Sequence, residues 1–314
     1  MKMRLLLVIW MVLGLVSVGW SGPANSAHIA ENAVWVGHAG VEKMCALPLV
    51  AECPFMSGTE TKSARHLQAF IEKTGLDPRK DVRAVTAWAT QYEGDVGVMI
   101  IYAQHVDRAR LVAFLREKRS EVKEETVSGY DLYTWNMRYM RKQLEVTGTF
   151  VDDQTILVGA DRSHVLAALD VISGTRPAIK ANSELLKGNE VGTLWFSNAQ
   201  KVPEVYRQVT RCPVLRQCQS ASARWWVQDE MILGRYTLNA INAETASLLS
   251  QAIEGFKALF ALRFNGQEPM LQLLKGFSMM TDGSALTVSW RGTFEEIRHA
   301  AKHMHEQLRQ MHGK

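Results

Sequence analysis

The chain has 314 residues, of which 47% are hydrophobic and 22% charged, and its formal net charge is +4. This composition is typical of a globular protein that buries a sizeable core, in one large domain or two of average size. The small positive charge falls to +2 without Lys2 and Arg4. It gives no indication of the concentrated basic face that nucleic acids require, so we expect no nucleic-acid partner.

Residues 1–27 have the pattern of a secretory signal peptide. Lys2 and Arg4 are followed by an apolar run from Leu5 to Trp20, and small residues within 21–27 offer a cleavage site. We therefore expect a periplasmic or secreted protein whose mature chain begins close to His28. The alternative is an uncleaved anchor, but the run is shorter than the roughly 20 residues of a spanning helix. Membrane contact is expected only through this segment, if it is retained.

Four cysteines agree with export to an oxidising compartment. Their spacing favours local Cys45–Cys53 and Cys212–Cys218 disulfides, although four cysteines allow three pairings. Neither pair has the Cys-x-x-Cys spacing of zinc or thiol-redox sites.

A repeated pattern determines the predicted fold. Residues 148–172 contain two β-rich runs that meet at a polar turn, followed by an apolar helix that begins at Ser163. The same order recurs 130 residues later, over 277–297, with Thr293 in the place of Ser163. A hairpin and its helix cannot bury their apolar faces alone, so a repeat implies repeated packing.

Four hairpin–helix units are predicted, preceded by a loop-rich segment over 28–60 and a helix over 61–74. The fold class is therefore α+β, built of duplicated antiparallel hairpin–helix units with the helices packed on one face of the sheets. The first half spans 61–181 and the second 182–314. The predicted strand runs, in order, are 82–89, 96–103, 130–136, 148–159, 191–198, 224–238 with a turn near Asp229-Glu230, and 277–292. The helix of the third unit begins at Asn242 and runs through Leu248, Leu249, Ile253, Phe256 and Leu259. The helix of the fourth unit begins with a Thr293–Glu296 capping box, and a short helix is predicted near 202–210.

Searches for catalytic motifs find no G-x-S-x-G, no G-x-x-x-x-G-K-[ST] and no G-x-G-x-x-G. The Asp152-Asp153 and Asp282-Gly283 pairs lie where turns require them for backbone reasons. No catalytic residue is assigned, and the sequence favours a protein that is not an enzyme.

The C-terminal helix is a candidate metal site. Glu295, His299, His303 and Glu306 recur three or four residues apart along one face, and neutral imidazoles at i and i+4 can chelate a divalent transition metal. The simpler interpretation is a solvated polar face with no cofactor bound, because no rigid motif fixes a third ligand.

A second candidate surface lies between two predicted strands. Aromatic, methionine and cationic side chains alternate there and could contact an apolar ligand or an anionic surface, although inward-packing aromatics are the simpler interpretation. The candidate residues are Trp135, Arg138, Tyr139, Met140, Arg141 and Lys142. Around the second cysteine pair, Arg207, Arg211, Arg216 and Arg224 could bind an anion or simply be solvated.

These patterns favour an exported, non-catalytic binding module whose partner is an envelope protein or a small apolar ligand. Two alternatives remain at the sequence level: a periplasmic metal-handling protein that uses the C-terminal helix, and an envelope hydrolase with a site assembled from distant residues.

Overall fold

A computed structural model describes residues 22–51, 62–92, 97–119, 121–139, 142–200, 202 and 216–312. The chain divides after Val191 into unit 1 (residues 1–191) and unit 2 (residues 192–314), ten residues beyond the boundary expected at 181. Each unit combines helices with an antiparallel sheet. The predicted α+β class is therefore confirmed.

Unit 1 contains a seven-stranded sheet in the order β1-β2-β3-β7-β6-β5-β4, with every described pairing antiparallel. Its strands are β1 (Trp35–Ala39), β2 (Val82–Ala89), β3 (Val98–Ala103), β4 (Val122–Val127), β5 (Tyr130–Tyr139), β6 (Lys142–Phe150) and β7 (Thr155–Gly159). Its helices are α1 (Val41–Ala46), α2 (Pro48–Ala51), α3 (Lys62–Thr74), α4 (Pro78–Asp81), α5 (Arg108–Lys118) and α6 (Arg162–Ile172), with 3-10 turns at Ser26–His28 and Glu184–Leu186.

The N-terminal part of unit 1 is more regular than the sequence indicates. Within the segment expected to be loop-rich, β1 pairs with β2, and α1 contributes Val41 to a core with Val82 and Val85. Strand β4 was not expected, and it joins β5 through the Ser128-Gly129 turn. Both turn residues have positive φ, as a type I′ hairpin requires.

Helices of unit 1 lie on both faces of its sheet, so the expectation of one covered face is wrong for this unit. Ile156 packs with Phe70 of α3 and Leu111 of α5. On the other face, a Cβ on Gly159 of β7 would lie 2.8 Å from Val165 of α6. Because strand side chains alternate, Leu157 shares the α6 face with Gly159, and Ile156 points away from α6.

The start of the described chain is part of unit 1. Ala24 N–H donates to Asn189 Oδ1 at 2.6 Å, and Asn189 Nδ2 donates back to the Ala24 carbonyl at 3.0 Å. Ile29 is fully buried, and Ala30 forms a bridge with Ala178. Residues 24–30 are therefore packed into the fold of unit 1.

Unit 2 contains a five-stranded sheet in the order β11-β12-β10-β9-β8, again antiparallel throughout. Its strands are β8 (Thr193–Ala199), β9 (Cys218–Gln228), β10 (Met231–Ala240), β11 (Phe277–Asp282) and β12 (Ala285–Thr293), and its helices are α7 (Ala243–Arg263), α8 (Glu268–Lys275) and α9 (Phe294–His312). The short helix predicted near 202–210 lies outside the described residues.

Side-chain caps fix where the helices begin. Asn242 accepts a hydrogen bond from Thr245 N–H and starts α7 as expected. Thr293 and Glu296 exchange reciprocal hydrogen bonds at α9, which confirms the predicted capping box. In α6 the cap is Asp161 and not Ser163, since Asp161 accepts from His164 N–H and α6 begins at Arg162.

The predicted disulfides fall partly outside the described residues, which include neither Cys53 nor Cys212. Cys45 is a buried free thiol on α1, and Cys218 is buried in the core of unit 2. Burial raises the pKa of the Cys45 thiol. Both bonds stay predictions.

Candidate binding surface

Helix α7 carries large apolar side chains that are exposed to solvent, most of them in its C-terminal half. Leu259 and Leu262 lie on the same side of the helix as Leu248, whereas Phe256 and Phe260 lie seven residues after Leu249 and Ile253 and continue the side that those two residues occupy. We call this set the α7 stripe: Leu248, Phe256, Leu259, Phe260 and Leu262, each 54–73% exposed.

The inner face of α7 is apolar as well. Ala246 and Leu249 are buried against Leu286 and Val288 of β12, with Ile253 packed at the edge of this cluster. Polar residues, including Ser250, Glu254 and Lys257, occupy the remaining side of the helix. The cluster with β12 therefore covers the first half of α7, whereas the apolar side chains of its second half are exposed.

Other exposed apolar side chains belong to the same unit. Phe277 and Met280 on β11 and Met304 on α9 are 37–66% exposed. Among the described residues, Val191 is the one large exposed apolar side chain that lies outside unit 2. Clustered apolar exposure of this kind marks surfaces that bind proteins, membranes or apolar ligands.

The net positive charge is concentrated in unit 2. In sequence, residues 192–314 hold fourteen Lys and Arg against ten Asp and Glu, whereas residues 1–191 hold twenty-two of each kind. The +4 of the whole chain is therefore the charge of the unit that carries the α7 stripe.

A chain of polar side chains is buried in unit 1. His38 Nδ1 lies 2.9 Å from Thr86 Oγ1, and His28 Nδ1 lies 3.0 Å from the Tyr102 hydroxyl. Burial lowers the pKa of His38 to about 4 and raises the pKa of the Tyr102 hydroxyl. Groups held neutral in this way hydrogen-bond within the core and are poor proton-transfer catalysts near neutral pH.

Glu42 is the other buried ionisable group of this region. Its side chain is 3% exposed, and within the described residues its Oε2 atom has no hydrogen-bond partner. Burial raises the pKa of this carboxyl, and the nearby charges of Arg83 and Lys43 partly offset the effect. A protonated carboxyl fits such a site better than a carboxylate.

The candidate metal ligands lie along α9. Glu295 and Glu306 are eleven residues apart, which corresponds to about 16 Å along a helix axis, so only one of them could join His299 and His303 at one ion. In the described part of the chain, no group of three or more His, Cys, Asp or Glu side chains is placed to hold a metal. The metal site stays a prediction.

The second sequence candidate, residues 135–142, forms the ends of the β5–β6 hairpin. Trp135 packs across the sheet against Gly148, where an added Cβ would lie 3.2 Å from the indole ring. Arg138 is exposed, while Met140 and Arg141 lie outside the described residues. The inward-packing interpretation therefore holds for Trp135.

Of the four arginines near the second cysteine pair, Arg207 and Arg211 are also outside the described residues.

Sequence reasoning located the helix but missed its exposed face. The apolar run through Leu248, Leu249, Ile253, Phe256 and Leu259 predicted α7 correctly. The available signal was the presence of apolar residues on more than one side of the helix, which a single covering sheet cannot bury.

Comparisons with known proteins show a resemblance of fold alone. No family model and no curated protein matches the sequence. Crystal form III of TP0453 superposes with a TM-score of 0.49 at 8% identity, covering 88% of this chain and 96% of that chain. Crystal form I of TP0453 gives 0.49 at 11% identity, covering 90% and 98%. At this identity and TM-score the likeness says nothing about what this chain binds.

Within the described residues, no helix is both long enough and apolar enough to cross a membrane. This includes α7, whose 21 residues carry two acidic and two basic side chains.

Proposed function

We propose that this protein is an exported, non-catalytic binding module that docks on an anionic membrane surface through the α7 stripe. The observation that carries the proposal is the group of exposed Leu and Phe side chains on α7, a helix whose first half is already packed against the sheet. In this arrangement α7 lies along the interface and keeps its contacts with the sheet of unit 2.

The shape of the surface supports a membrane as the occupant. The α7 stripe is a linear apolar face on the outside of a helix, which suits the headgroup–acyl boundary of a bilayer. A small apolar ligand would instead require a concave pocket.

Charge supports the same occupant. The net positive charge of unit 2 favours its long-range approach to anionic phospholipids. Helix α7 itself carries two acidic and two basic residues, so its apolar side chains supply the contact. We therefore propose an anionic surface in place of the envelope protein or small ligand considered from the sequence.

Export rests on the N-terminal pattern and is also a proposal. Because Ala24 is hydrogen-bonded to Asn189, we place the cleavage site upstream of Gly22. Gly19 and Ser21 supply the small residues that such a site needs. The mature protein would then keep every contact of residues 24–30.

Vesicle flotation tests the function. Wild-type protein should float with vesicles of phosphatidylcholine and phosphatidylglycerol and bind vesicles of phosphatidylcholine alone more weakly. Replacing Phe256 and Leu259 together by Ser should weaken binding to the anionic vesicles by about a hundredfold, since burial of each side chain contributes at least about 1.5 kcal/mol.

Val191→Ser is the matched control, because Val191 is 85% exposed and lies outside unit 2. It should bind as the wild type does. Absence of wild-type flotation, or equal flotation of the double variant, would contradict the proposal. A concentration-dependent dimer that the double variant abolishes, without vesicle binding, would assign the α7 stripe to self-association instead.

We also infer that the two units arose by duplication. The support is a common strand order: β1-β2-β3-β7-β6 in unit 1 corresponds to β8-β9-β10-β12-β11 in unit 2. Helices follow the equivalent hairpins, with α5 matching α7 and α6 matching α9. The 130-residue offset pairs Ile156 with Leu286, and each packs against the earlier helix of its unit.

A further inference from the structure

The sheet face of unit 2 opposite α7 carries a group of arginines on three neighbouring strands. Arg224 of β9 lies directly across from Arg235 of β10, and Arg235 lies across from Ser289 of β12. The next row contains Trp226, Leu233 and Arg291 in register. By strand alternation these side chains point away from the face that holds Leu238 and Leu286 against α7.

Trp226 orients two of these arginines. The guanidinium carbon of Arg224 lies 4.8 Å from the Trp226 ring centroid, and that of Arg235 lies 5.8 Å from it. A guanidinium over a ring points its N–H groups outward in its own plane, and Arg235 can therefore direct them toward an anion.

Two of the arginines, Arg235 and Arg291, are exposed neighbours on the same sheet face. Arg291 is diagonal to Arg235 across β10 and β12, which brings their Cα atoms to about 7–8 Å. Among the described residues, no carboxylate forms an ion pair with Arg235 or Arg291. Local charge repulsion that the fold does not relieve is typical of functional sites.

The arginines border an open cleft of about 370 Å³. Its lining includes Arg235, Arg291, Lys275 and the hydroxyl groups of Ser278 and Ser289, and no acidic side chain contributes to it. Lys275 also forms an ion pair with Glu268 of α8, with 3.3 Å between Nζ and Oε1. Leu233 and Trp226, on the same face as the arginines, add apolar surface beside the cations.

We propose that this cleft binds a phosphomonoester, with the phosphoryl group held between Arg235 and Arg291. One bidentate arginine satisfies both oxygens of a carboxylate, whereas a phosphoryl group has three terminal oxygens and two negative charges for two arginines. Ser278 and Ser289 donate further hydrogen bonds, and the body of the ligand lies against Leu233 and Trp226. This site is independent of the α7 stripe, from which the sheet separates Arg235 and Arg291.

Isothermal titration calorimetry with phenyl phosphate tests the site. Wild-type protein should give saturable binding, and Arg235→Gln and Arg291→Gln should each weaken it at least tenfold. Arg235→Lys should lie between, because an ammonium keeps the charge and loses the bidentate geometry. Arg263→Gln, at the end of α7, removes the same charge elsewhere in unit 2 and should bind as the wild type does.

Thermal melting of each variant confirms that it is folded before it is titrated. A second titration uses dihexanoyl phosphatidic acid below its micelle concentration. If it binds more tightly than phenyl phosphate, the natural ligand is a phospholipid headgroup. If it binds more weakly, the natural ligand is a soluble phosphomonoester. Absence of saturable wild-type binding to both ligands would overturn the proposal. So would equal weakening by Arg263→Gln, which would indicate nonspecific attraction to a positive surface.

Discussion

His38 shows at the level of one residue how burial sets a chemical state. It is 3% exposed, and its imidazole lies within hydrogen-bond distance of Thr86. Burial lowers its pKa from 6.5 to about 4, so the folded protein holds a neutral ring where the unfolded chain would carry a charge. The side chain thus contributes to the core and makes stability depend on pH.

We predict that the unfolding free energy falls as pH decreases from about 6.5 to about 4. In this window the unfolded state binds a proton at His38 that the folded state does not, so acid favours unfolding. The loss attributable to His38 is about 3 kcal/mol, complete below the folded pKa.

Urea unfolding across this pH range, compared between the wild type and His38→Gln, isolates the effect because Glu42 and His28 are present in both. The Gln amide can keep the hydrogen bond to Thr86. Equal pH slopes in the two proteins would show that His38 is not the group responsible.

At the scale of single elements, the packing of β7 shows which of its side chains face the core. A shift of the strand by one residue would exchange the two faces. Leu157 is fully buried on the face that α6 covers, and Val158 is partly exposed on the other face. We predict that Leu157→Asp lowers the unfolding free energy by several kcal/mol, because it places a charge in a closed core. Val158→Asp should cost clearly less. Denaturant titration of both variants measures the difference, and a larger loss for Val158→Asp would mean that β7 is shifted by one residue.

Most elements could be predicted from sequence because their signals are local. Asn242 and the Thr293–Glu296 pair cap their helices as expected, and the hairpin turns at 152–154 and 229–230 lie where polar residues interrupt apolar runs. Strand β4 could not be predicted, because it is an edge strand rich in Lys and Glu and lacks an apolar alternation.

The exposure of the α7 stripe could not be predicted from the sequence, because it depends on tertiary packing. The apolar pattern of α7 predicts that the helix packs against other elements, but it does not predict how many helices or strands cover it. The arginine face depended on register in the same way, since Arg224, Arg235 and Arg291 are distant in sequence and meet only when β9, β10 and β12 align. Both surfaces follow from tertiary structure.

At the scale of the whole molecule, unit 2 combines the exposed apolar side chains, the positive charge and the arginine cleft, whereas unit 1 contains the buried polar network. This distribution assigns contact with partners to unit 2. Removal of residues 192–314 should therefore remove both binding activities in our account.

The most direct test measures the environment of the α7 stripe on a membrane. A nitroxide label at Leu259→Cys reports collision rates with oxygen, which partitions into lipid, and with a water-soluble nickel complex. A label at Asn239→Cys, on the opposite sheet face, is the control, and protein without an engineered cysteine measures background labelling. On addition of anionic vesicles, we predict that oxygen accessibility rises and nickel accessibility falls at position 259, with little change at 239. Unchanged collision rates at position 259, under conditions where the protein binds the vesicles, would contradict membrane docking through α7.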